Sequence, residues 1–265
     1  TKVIQPIETA TVKAIRVSDG QAVKAGDVLI ELDATAAAAD SARLGNDLTT
    51  ARLQAARARA MLAAIASGKP PALERMPDME AGRLTQEQRI LEGQYGEYQA
   101  KLARIDAEIA KREAELASTQ EIVRKLAQTA PIARQRAQDF RDLVEKNFIS
   151  RHGYLEKEQA RIEQEGDLAT QRSRLKELAA SLQEARSQRA ALVAETRRIA
   201  LDGLNEAEQK ATSYGNELVK ADSRGKLMTL TAPVDGTVQQ LAVHTVGGVV
   251  TPAQQLMVIV PKDNP

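Results

Sequence analysis

The chain contains no cysteine and no tryptophan, and its 265 residues include only two phenylalanines and four tyrosines. Without cysteine there can be no disulfide and no Cys-based zinc site, a composition that an oxidising compartment permits but does not require. Aromatic residues at 2% leave little bulky material for a large compact core, so a long molecule is expected rather than a round one. Excess charge of either sign is also missing, with 37 Lys and Arg against 36 Asp and Glu. That balance, with so few rings to stack on bases, gives no case for nucleic acid as a partner. No apolar run approaches the roughly 18 residues needed to span a bilayer, and no signal-like leader precedes the first β element. Because β character starts within the first three residues, the chain reads as a piece of something longer, with any membrane anchor lying upstream of it.

What is present begins with a repeat. Residues 11–32, TVKAIRVSDGQAVKAGDVLIEL, return as residues 237–260, TVQQLAVHTVGGVVTPAQQLMVIV. Thr11 aligns with Thr237, Val12 with Val238, Ile15 with Leu241, Val17 with Val243, Gly20 with Gly247, Val23 with Val250 and Leu29 with Leu256, with one residue inserted in the second copy. Both copies alternate in the manner of short strands. Gly20, Gly26, Gly236, Gly247 and Gly248 fall at their turns, and Gly20 and Gly26 sit where a tight turn favours a residue free to take positive φ.

Between the copies the composition is that of helices and coiled coils, rich in Ala, Leu, Glu, Gln, Lys and Arg. Leu84, Leu91, Tyr98, Ile105, Arg112, Thr119 and Leu126 recur every seven residues, as do Gln88, Tyr95, Leu102, Ile109, Leu116, Val123 and Ala130. The two series are offset as the d and a positions of a heptad are, which predicts a seam that continues through Ala133, Ala137, Phe140 and Val144. A second helix carries Leu168, Leu175 and Leu182 in one series and Leu178, Ala185, Leu192 and Ile199 in the other. Residues 147–150 therefore read as the turn of an antiparallel hairpin with helices at about 82–146 and 151–224; arms of that length would span roughly 90 to 110 Å. A shorter helix at about 36–66, with Leu44, Leu48, Ala51, Ala55, Ala58, Leu62 and Ile65 on its seam, precedes a Pro-rich connector at 67–80. Antiparallel reversal onto the next helix is the simplest geometry for it. Pro131 and Gly166 fall at matching distances from the turn, and Leu155 and Ile162 leave the register of Leu168, which marks a possible hinge across both arms.

A hairpin that goes out and returns brings the two β copies together. The expected fold is α+β: a long antiparallel helical hairpin with an extra shorter helix, inserted in a split all-β unit. Its parts are residues 1–33, 34–225 and 226–265.

The segment Gly20-Gln21-Ala22-Val23-Lys24-Ala25-Gly26-Asp27-Val28-Leu29, followed by Ile30-Glu31-Leu32-Asp33, resembles half of a lipoyl or biotinyl domain. With APVDGTVQQLAVHTVGGVV as the other half and a hairpin between, the whole chain resembles the HlyD family of membrane fusion proteins; its C-terminal stretch VHTVGGVVTPAQQLMVIVPKD is close to hemolysin-type secretion adaptors. That resemblance implies a periplasmic adaptor of a Gram-negative type I secretion system, anchored to the inner membrane by a segment absent from this chain. Its implied partners are an inner-membrane ABC transporter, a TolC-like outer-membrane channel, an exported protein of the RTX type, and further copies of itself in a ring, as a hexamer. Efflux adaptors of the family carry R-x3-L-x6-S at the tip. Leu143 and Ser150 match that spacing, but Asp139 stands at the Arg position, with Arg136 and Arg141 nearby. The implied channel contact is thus Asp139, Arg141, Leu143, Asn147, Phe148 and Ser150, and Ser150 also suits the N-cap of the returning helix.

Nothing in the chain reads as catalytic or as a cofactor or metal site. A working carrier domain needs a modifiable Lys between its halves, where Asp33 runs into a helix here. His152 and His244 lack ligand-type companions, and His244 reads as a strand surface residue. SGKPP lacks the upstream Gly and the Ser/Thr of a phosphate loop. The expected role is therefore non-enzymatic. The alternatives are a multidrug or small-molecule efflux adaptor, a lipoyl or biotinyl carrier subunit opposed by the missing Lys, and a scaffold coiled coil opposed by the β repeat.

Overall fold

A computed structural model describes residues 1–262; residues 263–265 of the expected second β segment lie outside the described residues. In order, the elements are β1 (Lys2–Ile4), β2 (Ala10–Ile15), β3 (Ala22–Val23), β4 (Val28–Leu32), α1 (Thr35–Ser67), α2 (Ala81–Glu145), α3 (Arg151–Leu227), β5 (Thr229–Thr231), β6 (Gly236–Gln239), β7 (Val249–Val250) and β8 (Met257–Pro261). The fold is the expected one in class: an α-helical hairpin and a shorter helix inserted between strands of an antiparallel β unit. Two compact units emerge from the packing. One comprises Thr1–Arg59, Glu74–Leu84 and the chain from Asp202 onward; the other comprises Ala60–Leu73 and Thr85–Leu201.

In the first unit, one sheet has the order β1-β8-β6-β3 and the other β5-β4-β2-β7. Each therefore holds two strands from each end of the chain, and neither end could complete a sheet alone. The repeat is visible in the hydrogen bonds. Val12 donates to Gly248 and accepts from Gly247, both at 2.8 Å; its counterpart Val238 donates to Gln21 at 2.9 Å and accepts from Gly20 at 2.7 Å. Each copy's strand valine thus pairs with the other copy's turn. Val12, Leu29, Ile30, Val238, Leu256, Met257 and Ile259 form the core, all at most 1% exposed, and the neighbours Leu29 and Ile30 are both buried where the pairing of β4 with β5 shifts register.

Gly20, Gly26 and Gly247 have φ of 82°, 89° and 90°, which explains glycine at those turns. Gly236 does not belong with them. It is the first residue of β6, and a Cβ there would lie 2.2 Å from the Val260 carbonyl oxygen, so glycine serves close strand approach. Nor is His244 on a strand; it lies exposed in the loop between β6 and β7. Where the first copy has Gly26, the second has Ala253, held at φ 64° and donating to Pro6 much as Gly26 donates to Ala232.

The connector after α1 departs from the simple reversal. Arg59 pairs with Glu74 at 2.7 Å and Arg52 with Asp78 at 2.8 Å, so the connector runs back along α1. Arg83 then reaches Asn46 and Thr50 of α1, whereas further along α2 Leu91 and Tyr98 share a cluster with Ala60 and Met61. Helices α1 and α2 consequently run in the same direction. About a dozen extended residues cover up to roughly 40 Å, enough to retrace a helix that rises only about 1.5 Å per residue.

Candidate functional site

The tip is built by two helix caps back to back. At the end of α2, Phe148 N–H donates to the Leu143 carbonyl and Asn147 N–H to the Val144 carbonyl, both at 3.0 Å. With Asn147 at φ 61°, this is a Schellman closure: the left-handed residue just past the helix satisfies carbonyls that would otherwise lack partners. The returning helix starts at Arg151, and Ser150 Oγ accepts from Gly153 N–H at 3.1 Å, as an N-cap does. Only four residues, Lys146 to Ile149, separate Glu145 from Ser150, so the turn leaves Phe148 little to pack against and its ring is 73% exposed.

Around it, Asp139 accepts from Gln135 one turn earlier at 2.9 Å, Arg141 faces Glu145 at 3.8 Å, and Leu143 is half-buried toward the seam. Asp139, Arg141, Asn147, Phe148 and Ser150 are exposed within or next to one turn region; Leu143 is the one that lines the arms instead.

Along the arms, every predicted α2 seam position from Leu84 to Val144 is buried or half-buried. On α3, Leu168, Leu175, Leu178, Leu182, Ala185 and Leu192 face inward likewise, but Ile199 is 58% exposed and Ala200 takes its place. The phase shifts because α3 there packs against two helices: Leu192, Val193 and Ala200 join a cluster with Met61 of α1 and Tyr98 of α2, and a second neighbour turns the buried stripe.

Nearer the tip the pattern inverts. The α2 side remains small and apolar at Ala130, Ala133 and Ala137, but α3 turns Lys157, Glu158, Arg161, Gln164 and Glu165 toward half-buried positions. Leu155 and Ile162, one heptad apart, face outward at 47% and 57% exposure. Contacts between the arms are polar here. Thr129 Oγ1 donates to Gln164 Oε1 at 2.7 Å, Arg134 Nε donates to Glu165 Oε1 at 2.5 Å, and Lys157 Nζ sits 5.3 Å from the centroid of the Phe140 ring. Arg161 donates to Glu165 Oε2 at 2.7 Å and also to Glu158. The hydrogen bond from Arg134 is the main reason that the Glu165 carboxyl lies below its usual range, and the bond from Arg161 does the same for Glu158. Pro131 and Gly166 lie beside these contacts, at one level of the hairpin. None of the charged seam residues was singled out from the sequence, although Leu155 and Ile162 leaving the register was their signal.

In the β unit, Asp33 accepts from the Thr35 N–H at 3.0 Å and its hydroxyl at 2.6 Å, closing the entry to α1 where a carrier domain would present its lysine. These bonds from Thr35 lower the Asp33 pKa. Among the described residues, no group of three His, Asp or Glu side chains could hold a metal, and no helix is long and apolar enough to cross a membrane.

A β unit whose sheets each draw on both ends of the chain, opened by a helical hairpin, defines a hairpin-bearing protein of the lipoyl-like type. A family profile for the CyaD alpha-helical hairpin domain matches residues 33–228. The chain belongs to the HlyD-type secretion proteins that carry this hairpin. It is 32% identical over 270 residues to the chromosomal hemolysin secretion protein D of Escherichia coli, covering all of this chain and 56% of that one. To protein CyaD of Bordetella pertussis it is 35% identical over 261 residues, covering 98% of this chain and 52% of the relative. The chain thus spans about half the length of these relatives. Among solved structures, the soluble domain of LipC, a membrane fusion protein of a type I secretion system, shares the fold with a TM-score of 0.87 at 23% identity, over 98% of this chain and 99% of that one. The periplasmic adaptor protein EmrA shares it more distantly, with a TM-score of 0.57 at 14% identity, covering 98% and 71%.

Proposed function

We propose that this chain is the periplasmic part of a type I secretion adaptor, joining an inner-membrane ABC transporter to a TolC-like outer-membrane channel for export of an RTX-type protein. The observation that carries the reading is the similarity, along the whole of this chain, to hemolysin secretion protein D and to RTX-I toxin determinant D of Actinobacillus pleuropneumoniae, the latter at 32% identity over 269 residues. The role is mechanical, without catalysis or cofactor. The hairpin carries its turn to the channel, where Phe148, Asn147, Ser150, Arg141 and Asp139 form the contact face, with Leu143 holding the arms beneath them. Outward-facing Leu155 and Ile162 support association of neighbouring copies in a hexameric ring, since apolar residues at heptad spacing suit a helix that another helix covers.

The test is deletion of the gene in its native host, with secreted protein and drug tolerance both measured. Loss of an RTX-type protein from the medium, restored by the wild-type gene, is the expected result. Unchanged secretion with lost drug tolerance would make the protein an efflux adaptor instead.

A further inference from the structure

We propose that the chain of ion pairs Glu158–Arg161–Glu165–Arg134 is a strap that holds the tip-proximal arms of the hairpin together, and that the arms part at Pro131 and Gly166 when it is released. The inference concerns this chain alone and stands whether or not the adaptor reading does. Three observations carry it.

First, apolar packing is thin in this stretch. Of residues 131–166, all of them described, Ala137 alone is buried, and the apolar side chains that α3 could have contributed, Leu155 and Ile162, face away from the other arm. Second, what crosses between the arms is polar, and Glu165 is its node. One carboxylate takes Arg134 from α2 on one oxygen and Arg161 from α3 on the other, while Arg161 is steadied by Glu158 a turn below it. Glu158, Arg161 and Glu165 have side chains only 25–29% exposed, which shields the node from solvent more than an ordinary surface pair; Arg134, at 65%, is the accessible end. Third, the helices are weakened at the base of this stretch. Pro131 has no N–H to give to the carbonyl four residues earlier. A Cβ at Gly166 would meet no atom within 4 Å, so packing does not demand glycine there, yet glycine is the poorer helix former. The strap therefore sits immediately on the tip side of the place where both helices bend most easily. Because Arg134–Glu165 is the ion pair that crosses between the arms and Arg134 is largely exposed, the strap is weak enough to be undone by a competing contact.

The absence of native cysteine makes the test direct. Spin labels on Gln138→Cys and Gln159→Cys, exposed positions on the two arms beyond the bend, report the tip-proximal separation by pulsed dipolar spectroscopy; labels on Glu115→Cys and Gln183→Cys report the arms before the bend. In the otherwise unaltered chain both pairs should give one narrow distance. Arg134→Ala, at a largely exposed position, should raise the long-distance fraction of the 138/159 pair by about two- to fivefold and leave the 115/183 pair unchanged. Adding Pro131→Ala and Gly166→Ala to Arg134→Ala should restore the narrow distance, because stiffened helices resist opening. The proposal is overturned if Arg134→Ala leaves the 138/159 distances unchanged, if both pairs broaden together, or if the stiffened chain opens as far as the single variant.

Discussion

The β unit and the tip-proximal hairpin are closed by opposite means. Leu29, Ile30, Leu256, Met257 and Ile259 are shut from solvent, and both ends of the chain contribute to each sheet. Between residues 131 and 166, by contrast, one alanine is buried and the arms meet through the Arg134–Glu165 pair, which Arg161 backs from within α3, and the Lys157–Phe140 contact. Close packing has one solution and resists deformation, whereas ion pairs near water can be exchanged for others at little cost. The lesson is that this chain puts its rigidity where two distant segments must find each other, and its adaptability next to the turn proposed to meet a partner.

Substitutions should expose that contrast. The largest effect is expected from Gly236→Val, whose side chain would start 2.2 Å from the Val260 carbonyl oxygen and force β6 and β8 apart. Loss of about 4 kcal/mol or more, or failure to fold, should appear in chemical denaturation. Leu91→Ala, which empties a fully buried position in the seam shared with Tyr98 and Met61, should cost about 2–5 kcal/mol. Near the tip, Ala137→Gly should cost only about 1 kcal/mol, as should Ser150→Ala through loss of its cap; comparable losses at Leu91 and Ala137 would erase the distinction drawn here. Ala253→Gly should stabilise by up to about 1 kcal/mol, because it relieves a left-handed alanine where the first β copy already has Gly26.

Acid should act on the tip-proximal stretch before the core. The folded-state pKa of Glu165 is lowered by Arg134 and Arg161, and that of Glu158 by Arg161, Tyr154 and Arg141. Their contribution is therefore complete above the ordinary carboxylate value of 4.5 and is lost as pH falls below it through the lower folded values. The 138/159 separation should stay constant from neutral pH to about 5 and lengthen only below that, while the 115/183 separation holds.

How much of this was legible beforehand depended on whether the signal was periodic. The α2 seam repeats without a break from Leu84 to Val144, so its buried face could be counted position by position. The paired β copies announced themselves by their glycines, and Gly20, Gly26 and Gly247 have the positive φ that turns require. Gly236 was misread because the same residue type serves a different need, room for a neighbouring backbone. The direction of α1 relative to α2 rests on Arg52–Asp78 and Arg59–Glu74, tertiary ion pairs that periodicity does not encode. Ile199 failed because a heptad assumes one partner, and α3 has two at that level. The charged seam on α3 looked like an ordinary solvated face, since nothing local distinguishes a Glu that meets an Arg across the hairpin from one that meets water.

The most direct test of the adaptor reading uses Phe148, whose side chain is exposed at the turn and takes no part in either cap, only its backbone N–H closing α2. A photoreactive phenylalanine at this position in the full-length protein, activated in cells with and without cargo export, should capture an outer-membrane channel, and more of it during export. Capture only of other copies of the same protein, or of a cytoplasmic enzyme, would contradict the assignment of the turn as the channel contact.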